Sequence, residues 1–183
     1  MLHHQKNGRG NQLIKEYMEQ YYQEPKDFPA FLYMSHILQA DAIKTAIEAH
    51  RAHKPYCMGT LYWQMNDCWP VASWSSMDYY GRWKALQYAA KNSYRDIVII
   101  VEQINDQLNL KIVSDKLQDI KSSIQLTLYD FSGTELWNYN KDVLVKSNTV
   151  TEVDIFEVNK ILQESNPNNV VLQATLETVN HQL

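Results

Sequence analysis

The stretch GTLYWQMNDCWPVASWSSMDYYGRWKALQYAAK, residues 59–91, decides how the rest of the chain is read. Residues 61–76 alone hold Trp63, Trp69 and Trp74, three of the five tryptophans, set around the pair Asn66-Asp67. Upstream, Pro55 breaks the preceding helical pattern, and Met58 to Met65 is apolar at both alternating positions. Such a run reads as a strand covered on both faces, as in a parallel sheet or barrel. Residues 66–80 read as a loop rich in Trp and Ser, and Trp83, Leu86 and Ala90, followed by Tyr94, return to helical spacing.

Working toward the N-terminus, Leu13, Ile14, Tyr17, Met18 and Tyr21 mark one face of an amphipathic helix over 11–23, with Pro25 just past its end. A longer helix fits 29–52. There Phe31, Leu32, Ile37, Leu38, Ile43 and Ile47 recur at helical intervals, and Asp41, Lys44 and Glu48 lie on another face.

Beyond Tyr94 the texture changes to short β-rich runs at 97–103, 108–114, 123–131, 149–157 and 170–177, with 135–145 supplying a hairpin or two further strands. Asn105-Asp106, Ser132-Gly133, Ser147-Asn148 and 166–169 are the turn signals between them. This spacing predicts an antiparallel sandwich of about seven strands. Charge divides at the same place. Residues 1–95 carry eleven Lys and Arg against eight Asp and Glu, and residues 96–183 carry six against thirteen. All four arginines and four of the five glycines fall in the first part, which points to two units of different construction. The boundary is placed near residue 96.

Several function classes fall away. The acidic second half argues against a nucleic-acid partner. No apolar run approaches the ~20 residues of a membrane span. The N-terminus, MLHHQKNGRGN, lacks the apolar h-region of a secretory signal, and the compartment stays undetermined. Cys57 and Cys68 flank the expected strand, whose extended length would hold them more than ~20 Å apart, so both are read as free thiols. His3-His4 and the pair His50/His53 have no carboxylate or cysteine at ligand spacing, so neither a metal nor a cofactor is expected. Ser73, Ser75 and Ser76 have no base nearby in sequence, which leaves serine-nucleophile chemistry without support.

Indoles interleaved with an amide and a carboxylate are the mixture a sugar-binding cleft needs. Residues 59–91 resemble the last barrel strand and following helix of the β-mannosidases in glycoside hydrolase family two. The resemblance rests on G-T-L-Y-W-Q-x-N-D, then W-P, S-W, D-Y-x-G-x-W-K and the A-L-x-Y-A helix. HQKNGRGNQLIKEY (4–17) is similar to the segment preceding the final barrel helices of that family. The resemblance implies an α+β chain. Residues 1–96 would be the C-terminal part of a (β/α)8 TIM barrel, and 97–183 an immunoglobulin-like antiparallel β-sandwich.

It further implies a retaining exo-β-mannosidase acting on terminal β-mannosides, with two carboxylates about 5–5.5 Å apart. The family carries these in an Asn-Glu pair and a Ser-Glu-Phe-like motif. Neither an Asn-Glu nor a Ser-Glu dipeptide occurs in this sequence. A whole barrel needs ~250 residues. The expectation is therefore a C-terminal piece with no catalytic residue of its own, partnered by the remaining domains of its parent.

By the same resemblance Trp63 falls at the cleft end of the strand, with its ring toward the sugar, and the peptide after it is a candidate for cis geometry. Packing in the barrel core is the competing reading. Asn66 and Asp67 would meet sugar hydroxyls, against a role in capping their own loop. Trp69 would line the cleft mouth or pack the loop, Trp74 is favoured to pack, and Trp83 and Tyr88 are expected in the core. An incomplete barrel would leave Leu13/Tyr17 and Ile43/Ile47 uncovered and open to self-association. The alternative is a non-catalytic carbohydrate-binding or structural sandwich module.

Overall fold

The computed structural model describes residues 7–178 and 181–182, so His3-His4 lies outside the described residues. The chain is α+β, with every paired strand antiparallel, and it divides into two compact units. One comprises Met1–His50 with Gly59–Arg95, the other Arg51–Met58 with Asp96–Leu183.

The first unit is helical. Helix α1 spans Gly10–Met18 and α2 Phe28–Ala52, whose last two residues count with the second unit; α3 spans Ala85–Ser93. The carboxylate of Asp27 accepts the Ala30 amide at 2.8 Å, a capping bond that satisfies one of the orphan donors at the start of α2. Met18, Ile47 and Leu86 are fully buried, as the apolar periodicity of the three helices requires. Ser93 Oγ donates to Glu48 at 3.2 Å, and Gln39 Nε2 to the Trp74 carbonyl at 2.7 Å, so α3 and the aromatic loop are both tied to α2.

Four expectations fail in this unit. Residues 58–65 form no strand. The described residues of the unit hold only single-residue bridges, Asn66 to Met77 and Met77 to Trp83. A strand needs a neighbour to take its backbone groups, and none is supplied here. Leu61 is accordingly 99% exposed, with Met58, Trp63 and Met65 also open. Trp83 and Tyr88 are exposed rather than core. They meet edge-to-face at 5.0 Å, with the Lys91 ammonium 5.7 Å from the indole centroid. Trp74 is exposed as well, its backbone being the part that α2 holds. Of the apolar pairs expected bare, Tyr17 is exposed, but Ile47 is buried.

The second unit is built of strands β1 (Ile97–Ile104), β2 (Gln107–Ser114), β3 (Ile120–Asp130), β4 (Glu135–Val145), β5 (Val150–Glu157), β6 (Val170–Thr178) and β7 (His181–Gln182). One sheet runs β1-β2-β5 and the other β4-β3-β6-β7. Residues 135–145 make one strand rather than a hairpin. A short helix α4 (Val158–Leu162) and a 3-10 turn at Pro167–Asn169 join β5 to β6.

The turns fall on the expected punctuation. Asn105, Gly133 and Asn148 all take positive φ, the left-handed region where Gly and Asn lose least. Asp130 holds the β3–β4 turn by accepting from the Ser132 and Thr134 amides at 2.9 and 2.8 Å. The core draws evenly on the two sheets: Ile97, Leu110, Ile112 and Val153 from one, Ile124, Leu126, Val145 and Leu176 from the other. Each fully buried Leu or Ile among them contributes roughly 2 kcal/mol relative to exposure.

Edge strands β4 and β5 face each other across the open side of the sandwich. Phe156 meets Trp137 and Tyr139 edge-to-face at 5.7 and 4.8 Å. Tyr139 donates to Asp154 at 2.7 Å, and Lys141 Nζ donates to the Val153 carbonyl at 2.8 Å. Burial, then the Asp154 carboxylate, push the Tyr139 hydroxyl well above the usual phenol range. The bond from Tyr139 in turn holds Asp154 below the usual carboxylate range. This contact closes the sandwich along an edge that the β-ladders leave unpaired.

Candidate functional site

The aromatic stretch lies in the helical unit, and backbone pairing sets its shape. Ser76 and Met77 donate their amides to the Gln64 and Met65 carbonyls at 3.0 and 2.8 Å, drawing the returning limb of the loop against residues 64–65. The Lys84 amide bonds to the Ser76 carbonyl at 2.9 Å, which carries that limb into α3. Two polar clusters lie under this framework. In one, Ser76 Oγ meets Gln87 Oε1 at 2.6 Å, the Met65 carbonyl at 2.9 Å and the Tyr62 hydroxyl at 3.0 Å. In the other, Asp67 takes Ser73 Oγ on one carboxylate oxygen and Ser75 Oγ on the other, both at 2.6 Å.

Lys84 completes the second cluster. Its ammonium donates to Ser75 Oγ at 2.8 Å and to the Ser73 carbonyl at 3.3 Å, and stands 3.8 Å from Asp67. Desolvation pulls its pKa below the ordinary lysine value against the opposing pull of Asp67 and Asp78. His36, pushed down first by its own burial, is lowered further by the Lys84 charge. The loop thus rests on a buried cation–carboxylate–hydroxyl core, the kind of polar group that burial tolerates only when it is satisfied.

Each residue singled out in the sequence can now be placed. Trp63 is 75% exposed, and its peptide bond to Gln64 is cis, as expected. Asn66 is exposed; its Nδ2 reaches only the Asp67 carbonyl, at 3.3 Å. Asp67 is 5% exposed with both oxygens engaged. Trp69 sits at the rim of the same loop with part of its ring open. The stretch therefore brings three open indoles, Trp63, Trp69 and Trp74, and an open amide onto one short segment, while the carboxylate turns inward. Ser73, Ser75 and Lys84 are the residues that sequence reading missed. The signal was the pattern Asp67, Ser73, Ser75, Lys84, whose members have meaning only once the loop is closed.

Among the described residues no three side chains of His, Cys, Asp or Glu gather as metal ligands. His50 Nδ1 lies 2.8 Å from Thr60 Oγ1, and neither Cys57 nor Cys68 is joined in a disulfide. Beyond the aromatic loop, the turn Asp78–Arg82 is held by Asp78, which accepts the Tyr80 and Arg82 amides at 2.9 Å and Arg82 Nε at 2.6 Å. It displays Tyr79 and Tyr80 edge-to-face at 5.2 Å.

Comparison with known proteins gives a consistent result. Residues 106–183 match the family model of the mannosidase Ig/CBM-like domain. A β-mannosidase of Capra hircus is 31% identical over 148 residues, which cover 74% of this chain and 17% of the relative. β-Mannosidase A of Aspergillus oryzae is 29% identical over an alignment covering 98% of the chain and 21% of the relative. The crystal structure of the β-D-mannosidase from Dictyoglomus thermophilum superposes with a TM-score of 0.89 at 29% identity, over 100% of this chain and 23% of that one. The chain thus spans about a fifth of the length of the proteins it matches. Likeness to β-mannosidases, in sequence and in structure, thus runs along the whole length of the chain.

Proposed function

We propose that the chain is the C-terminal portion of a retaining exo-β-mannosidase that removes terminal β-D-mannose from β-mannosides. In this reading residues 1–96 complete a (β/α)8 barrel whose other strands lie upstream, and 97–183 form the immunoglobulin-like domain that follows. Both catalytic glutamates belong to the upstream strands, and this portion lends aromatic and polar groups to the sugar subsite. The observation that carries the reading is Trp63: an indole left 75% exposed on a loop that two buried polar clusters hold in shape.

The division of labour follows from side-chain chemistry. Trp63 offers a π face to the axial C–H groups of the sugar. Asn66, exposed beside it, donates and accepts toward hydroxyls. Trp69 borders the mouth of the subsite. Asp67, the fourth residue of the group, turns its carboxylate into the loop and contributes by holding it in shape. Upstream strands of the parent would cover Leu61, Met65 and the other apolar groups that this chain leaves bare.

The test is to express the full-length protein and assay it on p-nitrophenyl β-mannoside beside the β-glucoside and β-galactoside. Turnover of the mannoside, with net retention at the anomeric carbon by NMR, is the expected result. A full-length protein that binds mannosides without cleaving any of them would return the chain to the class of non-catalytic modules.

A further inference from the structure

Asp67 is the only carboxylate between Gly59 and Met77, and it is the wrong way round for a sugar ligand. Every partner it has is a donor from its own loop or from the start of α3. Ser73 Oγ and Ser75 Oγ each reach one oxygen at 2.6 Å, and Lys84 stands behind Ser75. Ser75 is wholly buried and Asp67 nearly so. A hydroxyl of an incoming sugar would have to displace one of these short bonds inside a closed pocket. Asn66, its neighbour in the chain, has the opposite environment, with an exposed amide and one long bond.

We propose, on the strength of the subsite reading above, that Asp67 is a positioning residue which never touches substrate. With Ser73, Ser75 and Lys84 it forms a brace that fixes loop 66–76 and so aims Asn66 and Trp69 at the sugar. A carboxylate suits the position best, because both of its oxygens accept. Two hydroxyls and an ammonium converge there as donors, and an amide would set its own N–H against one of them. The brace acts through geometry, and misplacement by ~1 Å at a reacting centre costs on the order of a hundredfold in rate.

The experiment compares Asp67→Asn, Ser75→Ala and the double variant in the full-length protein, on an aryl β-mannoside and its 2-, 3-, 4- and 6-deoxy analogues. Each single variant should lower kcat/KM by at least about tenfold. The double should be no worse than the poorer single, because both remove one unit. The factor should be the same for the mannoside and every deoxy analogue, whereas Asn66→Ala should lose its effect on the one analogue that lacks its partner hydroxyl. Amide hydrogen exchange across 64–77 should quicken in Asp67→Asn, a readout independent of turnover.

A loss in Asp67→Asn that disappears with one deoxy analogue would make Asp67 a direct ligand and overturn the proposal. Unchanged exchange across the loop would also overturn it. Ser75→Ala, which removes one hydroxyl and no charge, serves where Asp67→Asn fails to fold. Wild-type protein inert on every mannoside would sink the enzyme reading instead, and the exchange result would still decide whether the brace exists.

Discussion

Arg51 donates from Nη2 to Asp115 Oδ2 at 2.7 Å, joining residues 64 apart in sequence that belong to one compact unit. Lys54 reaches the other oxygen of the same carboxylate and also the Asn148 side chain at 3.4 Å. Arg51 is only 6% exposed, and the Lys54 side chain equally little. Asp115 therefore offsets part of the charge of two cations that have left water, and it anchors segment 51–58 to the sandwich. The segment belongs to that unit, although its sequence reads as the end of a helix.

Removing the carboxylate should be costly. Asp115→Ala removes the one carboxylate that two enclosed cations share, a change worth about 3–5 kcal/mol for a fully buried pair. Because Asp115 itself is partly exposed and Lys54 keeps a second acceptor, the lower end, about 3 kcal/mol, is expected. Urea unfolding followed through the sandwich should show a lower midpoint with an unchanged slope. A midpoint that does not move would mean that water already screens the cluster.

The Tyr139–Asp154 bond makes a prediction about pH. Asp154 has a folded pKa depressed below 3.8, so its contribution is complete above that value and is lost as pH falls through the folded pKa. Tyr139 has a folded pKa raised above 10.0, so its contribution is complete below pH 10 and fades as pH rises beyond it. Tyr139→Phe should flatten the stability curve at both ends. Asp119 and Asp130, depressed by partners of their own, should still give the variant a residual acid slope. Thermal melts from pH 2.5 to 11 test this, and parallel curves for the two proteins would contradict it.

The sandwich was legible from sequence because its information is local. Alternation with period two, plus Asn and Gly at the turns, is enough to set strand limits within a few residues, as β1, β2 and β6 show. Residues 58–65 misled for the same reason. Their apolar pattern describes the environment of a strand flanked by other strands, and among the described residues no strand lies beside them. At the site, composition pointed to the aromatic loop, yet nothing in the order of residues told which polar group turns inward. Asn66 and Asp67 are adjacent, similar in size and equally suited to turns. Only the convergence of Ser73, Ser75 and Lys84 on Asp67 separates them.

The 183-residue chain by itself should hydrolyse no aryl β-mannoside, since it holds neither an Asn-Glu nor a Ser-Glu motif. It should also associate in solution, because Tyr17, Leu61, Trp63 and Met65 of the helical unit are exposed together with further aromatics. Light scattering at rising concentration checks the second point and a chromogenic assay the first. Turnover that survives purification and disappears on mutating a residue of this chain would contradict the first. A monomer at all concentrations would contradict the second.

Trp63→Ala separates a ring that binds from a ring that packs. With three quarters of the residue open to solvent, its removal should shift the melting of the chain by no more than a surface substitution does, within about 0.5 kcal/mol. In the full-length protein the same change should be severe for catalysis. One indole face covers about 100 Å² of sugar, roughly half of what full burial of the ring involves. At ~25 cal/mol per Å² that contact is worth about 2.5 kcal/mol, or a fall in kcat/KM on the order of seventyfold. Trp63→Phe, which keeps a smaller π face, should recover part of the loss, whereas Trp63→Leu, apolar but without one, should recover less. Equal kinetics for the Phe and Leu variants would show that Trp63 supplies bulk rather than a stacking face, and a large drop in melting temperature for Trp63→Ala would place the ring against protein instead of sugar.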